Sequence, residues 1–317
     1  MIKVKEKVNF KNPIFVACWP GMGEVAFKAG LFLRDVLNFK EFAFLEGKNF
    51  YYPQSVIVKD GLIELPPEPV GVFYYYIKEN KEIILFLAEA QPPFEKAYLY
   101  ALNIIEFVKK LGCKKVFTFA AMPQPIEHTQ TPSCWISATS TELLEELATK
   151  FEVKILKEGS ISGLNGLILG VAKEKGLKGI CLLGEIPFYM IQIENPKASK
   201  RVLEIFLDLI GLNVDLSPLE ERAKLINEEI DKIIGMIKGE SPLQKPLDEK
   251  EIERIKKELN ASTKLPESAR KRIEELFKEA EHNISKAFEL KKELDKWNVY
   301  SEYEDRFLDL FRKKKDH

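Results

Sequence analysis

The chain has 317 residues, of which 45% are hydrophobic and 31% charged, the balance of a soluble globular protein. Its formal net charge of −1 argues against a general nucleic-acid binder, which would carry a basic excess. No apolar run approaches a membrane span, the N-terminus lacks the apolar core of a signal peptide, and the four cysteines lack metal-ligand or redox spacing. We therefore expect a cytoplasmic protein with no metal, no cofactor, no membrane contact and no nucleic-acid partner.

Short apolar runs alternate with helical patterns along the first 215 residues. Strands are predicted at 14–18, 41–45, 55–58, 70–76, 83–88, 115–120, 153–156 and 179–183. Helices are predicted between them at 24–37, 94–111, 140–150, 166–175 and 196–210. Alternating strands and helices of ten or more residues indicate βαβ units. We predict an α/β fold, a three-layer sandwich with a mainly parallel central sheet.

The remainder of the chain carries only helical patterns. Leu219 to Ile237 form an apolar stripe at helical spacing, and residues 239–246 have the composition of a linker. A second stripe comprises Ile273, Leu276, Phe277, Ala280, Ile284, Ala287, Phe288, Leu294 and Trp297. We predict an α/β domain over residues 1–238 and an all-helical C-terminal extension over 247–317. The helices of the extension are expected to dock on this domain or on another subunit.

Residues suited to a site concentrate in loops that follow predicted strands. In open parallel sheets, ligands bind beyond the carboxyl ends of the strands. The first such loop contains Gly21, Gly23 and Glu24 and leads into a helix. Its glycines allow a tight turn, and the backbone N–H groups of the helix start are able to hold an anion. A structural turn is the alternative interpretation.

Two further loops carry polar residues at comparable positions. One ends in Asn165 and Gly166 at the start of a helix, which predicts either a polar-ligand cradle or close packing of helix on sheet. The other, residues 121–132, carries His128 and Thr129. Since His128 is the only histidine in the α/β half, any imidazole acid–base chemistry would fall to it. A hydrogen-bonded structural histidine is the alternative.

Two carboxylates complete the candidate site. Glu89 and Glu185 each lie at the carboxyl end of a predicted strand, where a solvated surface residue is not the obvious expectation. With His128 they are candidate catalytic acids or bases. Together with Glu24 and Asn165 they would line one crevice. The set lacks a clear nucleophile, so the residues alone leave open whether any catalysis occurs.

Four short motifs, in chain order, resemble those of the proteasome assembly chaperone 2 family. They are Trp19-Pro20-Gly21-Met22-Gly23-Glu24-Val25-Ala26, Met122-Pro123 with His128-Thr129 and Pro132, Gly163-Leu164-Asn165-Gly166-Leu167, and Gly184-Glu185-Ile186-Pro187. The last has Ile where Thr is usual. Leu216 to Ile237 is similar to the helix that closes the family domain. The resemblance therefore covers residues 1 to about 238.

The resemblance implies a fold akin to nucleoside phosphorylases and peptidyl-tRNA hydrolase-like proteins, and an oligomeric protein. Eukaryotic and some archaeal members of the family help to assemble or hold proteasome α rings, whereas many bacterial members have no assigned activity. Proteasome-docking members insert a C-terminal hydrophobic-Tyr-any tripeptide, whereas this sequence ends Lys315-Asp316-His317. Docking by that route is therefore not implied. The likeness to phosphorylases lies at the level of fold and transfers no function.

Two functions remain open on the sequence alone. The first is a non-catalytic, homo-oligomeric scaffold or assembly-chaperone-like protein, with the C-terminal helices as an arm for a protein partner. The second is an enzyme of hydrolase or phosphorylase type that binds a small ligand in the strand-end crevice. Its ligand would be anionic or ribose-like and held by the glycine-containing loops. We favour the first.

Overall fold

The computed structural model describes residues 2–53, 55–237, 267–283 and 286–296, and also residues 299, 303, 306, 307 and 310. The chain divides into two compact units, Met1–Pro246 and Leu247–His317. The predicted domain boundary at 238, the linker 239–246, Ile284, Trp297 and the terminal tripeptide lie outside the described residues. None of the described helices combines the length and apolar composition of a membrane span.

A nine-stranded sheet forms the centre of the described part of the first unit. The strands in chain order are β1 (Ile2–Val4), β2 (Ile14–Cys18), β3 (Lys40–Leu45), β4 (Ile57–Lys59), β5 (Leu62–Glu64), β6 (Gly71–Lys78), β7 (Lys81–Ala88), β8 (Lys115–Gln124), β9 (Cys134–Ala138), β10 (Lys154–Ile155) and β11 (Lys178–Pro187). The order across the sheet is β1-β3-β6-β7-β2-β8-β11-β9-β10, and β4 pairs with β5 in a separate hairpin.

The centre of the sheet is parallel, an antiparallel strand borders it on each side, and the outermost pair β9–β10 is again parallel. Strands β7, β2, β8 and β11 run in one direction, whereas β6 and β9 pair antiparallel with β7 and β11. The central strands are apolar almost throughout, as in sheets that helices cover on both faces.

Helices cover both faces of the sheet, each over its own apolar cluster. The helices are α1 (Val25–Val36), α2 (Phe94–Lys110), α3 (Thr141–Lys150), α4 (Leu164–Glu174), α5 (Pro196–Ile210) and α6 (Ser217–Ile237). Helices α2 and α4 pack over one face, and α1, α3, α5 and the start of α6 pack over the other. The predicted three-layer α/β sandwich is confirmed.

Three strands were not predicted, and two extend four residues beyond their predicted ends. Strands β1, β5 and β9 are short or exposed, and β9 pairs antiparallel with β11, a contact that its local pattern does not reveal. Strands β8 and β11 pair continuously from Lys115 and Lys178 to Gln124 and Pro187. As a result, Glu185 lies inside β11 rather than beyond it.

The second unit has an apolar core of its own. Its described helices are α7 (Glu267–His282) and α8 (Ala287–Lys296). Phe277 is fully buried, its ring stacks on Tyr303 at 5.8 Å, and the Arg306 guanidinium lies 4.1 Å from its centre. The apolar residues that pack together are Ile273, Leu276, Phe277, Ala280, Ala287, Leu290, Leu294, Val299 and Phe307. The described residues of the predicted second apolar stripe are therefore buried within this unit. That the helices of the extension dock on the α/β domain or on another subunit stays a prediction.

Phe277→Ala is expected to destabilise the second unit by about 3–5 kcal/mol, because it removes a buried ring from a small core. Hydrogen exchange read by mass spectrometry measures this effect separately in each unit. Glu275→Ala, on the same helix and exposed, is the control and should stay within about 0.5 kcal/mol. An equal loss of protection in β2 or β8 would contradict the separate core.

Candidate functional site

A buried asparagine joins the end of β2 to the start of α4. Asn165 is 5% exposed. Its Oδ1 accepts the backbone N–H of Trp19 at 3.1 Å, and its Nδ2 donates to the Trp19 carbonyl at 3.1 Å. One side-chain amide thus satisfies both backbone polar groups of the residue directly after β2, which would otherwise be buried without partners.

Gln91, beyond the end of β7, also joins the segment after β2 to the start of α4. Its Nε2 donates to the Pro20 carbonyl at 2.7 Å, and its Oε1 accepts the N–H of Leu164, the first residue of α4, at 2.8 Å. Gln91 is not among the residues predicted from the sequence; its one signal there is a position between a buried strand and Pro92-Pro93.

Two glycines make this approach possible. Gly163 has a φ of +73°, and a Cβ there would lie 2.6 Å from Oε1 of Gln91. A Cβ on Gly166 would lie 2.0 Å from the carbonyl oxygen of Ile161. We refer to Gln91, Gly163, Asn165 and Gly166 as the Asn165 cluster. The cluster already uses the N–H of Leu164, one of the groups that an anion would need.

The loop with the first two candidate glycines joins the ends of β2 and β11. Gly23 donates its N–H to the Ile191 carbonyl at 2.7 Å and accepts the N–H of Asn195 at 2.8 Å. Gly23 and Glu24 have φ values of +60° and +53°, which produces a tight turn before α1. Gly21 is exposed, and its carbonyl accepts the Glu24 N–H at 3.0 Å.

Glu24 is partly buried beside another carboxylate. Burial raises the pKa of the Glu24 carboxyl; the nearby Lys28 lowers it and Glu194 raises it, with a net upward shift. Glu194 is itself paired with Lys28 at 3.6 Å and Arg222 at 3.3 Å. Glu24 therefore lies beside a group of charged side chains formed by Lys28 on α1, Glu194 and Arg222 on α6.

Glu185 is a buried carboxylate with three donors. Its oxygens accept the Ser133 N–H at 2.9 Å, the Trp135 indole N–H at 2.8 Å and the Lys154 ammonium at 2.7 Å. Burial by itself would raise the pKa of the Glu185 carboxyl, but the hydrogen bonds and the Lys154 charge together hold this pKa below its ordinary value. The carboxylate therefore stays ionised and joins β11 to β9 and β10.

Glu185→Gln is expected to lower the free energy of unfolding at pH 7 by about 1–3 kcal/mol, because it weakens charge-assisted hydrogen bonds. A folded-state pKa below the ordinary 4.5 means that the ionised carboxylate stabilises the fold above that pH. This stabilisation is lost as the pH falls through the folded-state pKa, so the gap between parent and variant should narrow in acid. Urea unfolding at several pH values measures the gap.

The matched control for this carboxylate is Glu89→Gln, since Glu89 is exposed at the end of β7. It should change the unfolding free energy by less than about 0.5 kcal/mol at any pH. A gap between parent and Glu185→Gln that stays constant with pH would show that the ionised carboxylate makes no special contribution.

His128 connects its loop to α5 and α6 through hydrogen bonds. It is 7% exposed, its Nδ1 lies 2.8 Å from the Tyr189 hydroxyl, and its Nε2 lies 2.9 Å from Oδ1 of Asp231 on α6. Lys197, in the first turn of α5, donates to the carbonyls of His128 at 2.8 Å and Thr129 at 3.0 Å. The Thr129 residue itself is exposed.

The candidate residues therefore belong to separate groups. Among the described residues, no hydrogen bond joins any two of His128, Glu185 and Asn165, and Glu89 is exposed apart from them. No group of three His, Cys, Asp or Glu residues suited to a metal is found in the described part of the chain. A catalytic role for His128, Glu185 or Glu89 stays a prediction, as does ligand binding by Gly21, Gly23, Glu24, Thr129, Asn165 and Gly166.

The four cysteines are all buried and reduced. Burial raises the pKa of the Cys113, Cys134 and Cys181 thiols to about 12, and it raises that of Cys18 as well. Because the thiolate is the nucleophilic form, these side chains are packing groups at neutral pH.

Comparison with known proteins gives the family. The family model described as PAC2 family matches residues 15–234, about two thirds of the chain. The chain belongs to the proteasome assembly chaperone 2 (PAC2) family. All four motifs singled out in the sequence lie within the matched residues, and both α7 and α8 lie beyond them.

Relatives within the PAC2 family include proteins of known structure. The chain is 32% identical over 234 residues to the uncharacterized protein MJ1210 of Methanocaldococcus jannaschii, covering 73% of this chain and 86% of that protein. It resembles Pyrococcus furiosus PbaB, described as an archaeal proteasome activator, with a TM-score of 0.64, 29% identity and coverage of 74% and 98%. It also resembles P. furiosus PbaA, an archaeal homolog of proteasome-assembly chaperone, with a TM-score of 0.57, 26% identity and coverage of 83% and 99%.

Proposed function

We propose that this chain is a non-catalytic, oligomeric protein that acts on the proteasome as an assembly chaperone or activator. The observation that carries the proposal is the extent of the similarity to P. furiosus PbaB, which covers 98% of that chain at 29% identity. A second P. furiosus relative, whose description also refers to the proteasome, is covered over 99% of its length. Similarity over whole chains supports a shared kind of partner better than a shared motif would.

The chemistry at the strand ends supports a protein partner over a small ligand. Each buried polar side chain that the sequence offered for ligand binding or catalysis already has protein partners within hydrogen-bonding distance. Asn165 is engaged by Trp19, Glu185 by Ser133, Trp135 and Lys154, and His128 by Tyr189 and Asp231. A ligand would have to break these contacts before it gained its own, at a cost comparable to the hydrogen bonds lost.

The proposal is tested by mixing the full chain with proteasome α subunits, and separately with assembled proteasomes, from its source organism. Size-exclusion chromatography measures co-elution, and fluorogenic peptide hydrolysis measures activity. We expect co-elution with α subunits or with the assembled particle, accompanied by faster assembly or higher peptidase activity. Separate elution from both at micromolar concentrations, with unchanged activity, would contradict the proposal.

The C-terminal helices are tested in the same assay. We propose that they contribute to the contact with the partner, because α7 and α8 lie outside the residues that the family model matches. A chain that stops at residue 246 should then bind proteasome components more weakly than the full chain. Equal binding by both chains would assign the contact to the first unit alone.

A further inference from the structure

The ring of His128 lies in a chain of hydrogen bonds that ends on α6. Its Nε2 lies 2.9 Å from Oδ1 of Asp231, and its Nδ1 lies 2.8 Å from the Tyr189 hydroxyl. That hydroxyl also accepts the backbone N–H of His128 at 2.8 Å and donates to Oε2 of Glu127 at 3.2 Å. The ring therefore lies between two carboxylates, Asp231 directly and Glu127 through Tyr189.

The charge of the imidazole decides how many hydrogens this chain contains. An ionised Asp231 carboxylate only accepts hydrogen bonds, so Nε2 of His128 carries a hydrogen whether the ring is neutral or charged. Burial raises the pKa of the Tyr189 hydroxyl, so this group keeps its one hydrogen at neutral pH. The hydroxyl directs that hydrogen either to Nδ1 of His128 or to Glu127, but not to both.

The doubly protonated ring satisfies all of these contacts at once. An imidazolium donates from Nε2 to Asp231 and from Nδ1 to the Tyr189 oxygen, which leaves the Tyr189 hydrogen for Glu127. With a neutral ring the hydroxyl must donate to Nδ1, and the Glu127 oxygen then faces another oxygen with no hydrogen between them. The observed geometry therefore fits the charged ring, and the charge also strengthens the hydrogen bond to Asp231.

The helices that pack against the loop carry further charged groups. Lys197 on α5 donates to the His128 carbonyl, so its ammonium opposes a positive ring, but the two carboxylates outnumber it. Arg201, one turn further along α5, is paired with Glu204. The charged neighbours of Asp231 on α6 are both exposed: Glu228, one turn before it, and Lys232, directly after it.

The second half of α6 packs on the rest of the first unit through a small apolar contact. Ile226 and Ile230 are buried there against Met190. Because this contact is small, the strength of the hydrogen bond between His128 and Asp231 affects how firmly the end of α6 is held.

We propose that the protonation of His128 controls how firmly the second half of α6 is held to the loop of residues 121–132. Histidine is the side chain that ordinarily changes charge between about pH 5 and pH 8. As the pH falls through this range, the ring gains its second hydrogen and holds α6 more tightly. As the pH rises, Nδ1 loses its proton to water, Tyr189 turns its hydrogen from Glu127 to the ring, and the contact weakens. This control lies within the first unit and does not depend on the proposed function.

Hydrogen exchange of the full chain, read by mass spectrometry, tests this control in residues 225–237. Exchange rates are corrected for their intrinsic pH dependence and compared with those of α2, which contains no histidine. Protection of this part of α6 should be about five-fold higher at about pH 5.5 than at about pH 8.5, because a charge-assisted hydrogen bond is stronger than a neutral one.

Two variants remove the charge from either side of the contact. The amide of His128→Gln can donate to Asp231 but stays neutral at every pH. Asp231→Asn removes the carboxylate, and because the Asp231 side chain is 61% exposed, this change leaves the fold intact. Both variants should lose most of the pH response of α6. The matched control Glu220→Gln weakens a different ion pair between α6 and α5, with Lys200, and should keep the full response.

Nitrogen NMR of the imidazole gives a direct readout of its protonation. The two nitrogens of a neutral ring resonate far apart, whereas both nitrogens of an imidazolium resonate close together. Both His128 nitrogens should carry hydrogens at about pH 6, and the resonances are assigned by their loss in His128→Gln. Tyr189→Phe removes the acceptor at Nδ1 and should lower the fraction of charged ring at that pH.

Several results would overturn the inference. They are protection of α6 that is constant or falls as the pH falls, an equal pH response in the parent and in Asp231→Asn, and a bare Nδ1 at about pH 6. Loss of the response in Glu220→Gln would also contradict it, since any weakening of α6 would then have the same effect. These measurements contain no proteasome component, so their outcome is independent of whether the chain binds proteasomes.

Discussion

Gly166→Ala is expected to destabilise the first unit by roughly 3–5 kcal/mol, because the new methyl group has no space. Its Cβ would lie 2.0 Å from the carbonyl oxygen of Ile161 and 2.7 Å from the carbonyl carbon. A backbone group cannot rotate away as the end of a flexible side chain would. The start of α4 must therefore shift, and the Asn165 hydrogen bonds to Trp19 shift with it. Urea unfolding followed by circular dichroism measures the loss.

The same helix offers a matched control. Gly170 also lies in α4, but a Cβ there would have no atom within 4 Å. Gly170→Ala should raise stability by about 0.5–1 kcal/mol, since alanine is the better helix former. Opposite signs at two glycines one turn apart are the expected result. Equal unfolding midpoints for the two variants would contradict the close contact between Gly166 and Ile161.

Asn165→Ala is expected to cost about 2–5 kcal/mol of unfolding free energy. It removes two hydrogen bonds and leaves the buried N–H and carbonyl of Trp19 without partners, each worth about 1–3 kcal/mol. Asn165→Asp should be nearly as costly, because it loses the donor and buries a charge. Urea unfolding measures both.

The control for Asn165 is Asn103→Ala on α2, where the amide donates to the Leu99 carbonyl on an exposed face. That variant should stay within about 0.5 kcal/mol of the parent. The comparison also separates packing from ligand binding at Asn165. If the Asn165→Ala variant were as stable as the parent, the hydrogen bonds to Trp19 would not contribute to stability. That result would favour a ligand-binding role for Asn165.

Much of the fold follows from local sequence pattern. Strand β2 is predicted with its observed bounds, and α2 and α5 within a residue, because apolar periodicity is strong there. The order of the strands is not predictable in this way, because it depends on pairing between distant segments. Strand β9 was not predicted for the same reason, because its five residues form a strand through antiparallel pairing with the distant β11.

The sequence predicts which residues of the candidate site are unusual, but it does not predict which of them contact one another. Asn165 and Gly166 attract attention as a polar motif at a helix start, but Trp19, the partner of Asn165, lies 146 residues earlier in the chain. Glu185 suggests a catalytic carboxylate until Trp135 and Lys154 are placed beside it by β9 and β10. Residue type and spacing indicate which side chains are unusual, and tertiary contacts decide what those side chains bind.

The distribution of the motifs has a physical explanation. The cluster around Asn165 joins β2 to α4, Gly23 joins β2 to the segment after β11, and His128 joins its loop to α6. These are the contacts that hold the loops at one edge of the sheet. The motifs that resemble those of the family are therefore residues that make structural contacts within this fold.

Native mass spectrometry of the full chain, alone and with proteasome α subunits, tests the central claim most directly when a denatured control is run alongside. The account predicts a discrete oligomer at a multiple of the bare chain mass, and a larger complex once α subunits are added. A monomer that forms no complex and carries an extra mass released on denaturation would contradict it. That extra mass would identify a retained small ligand.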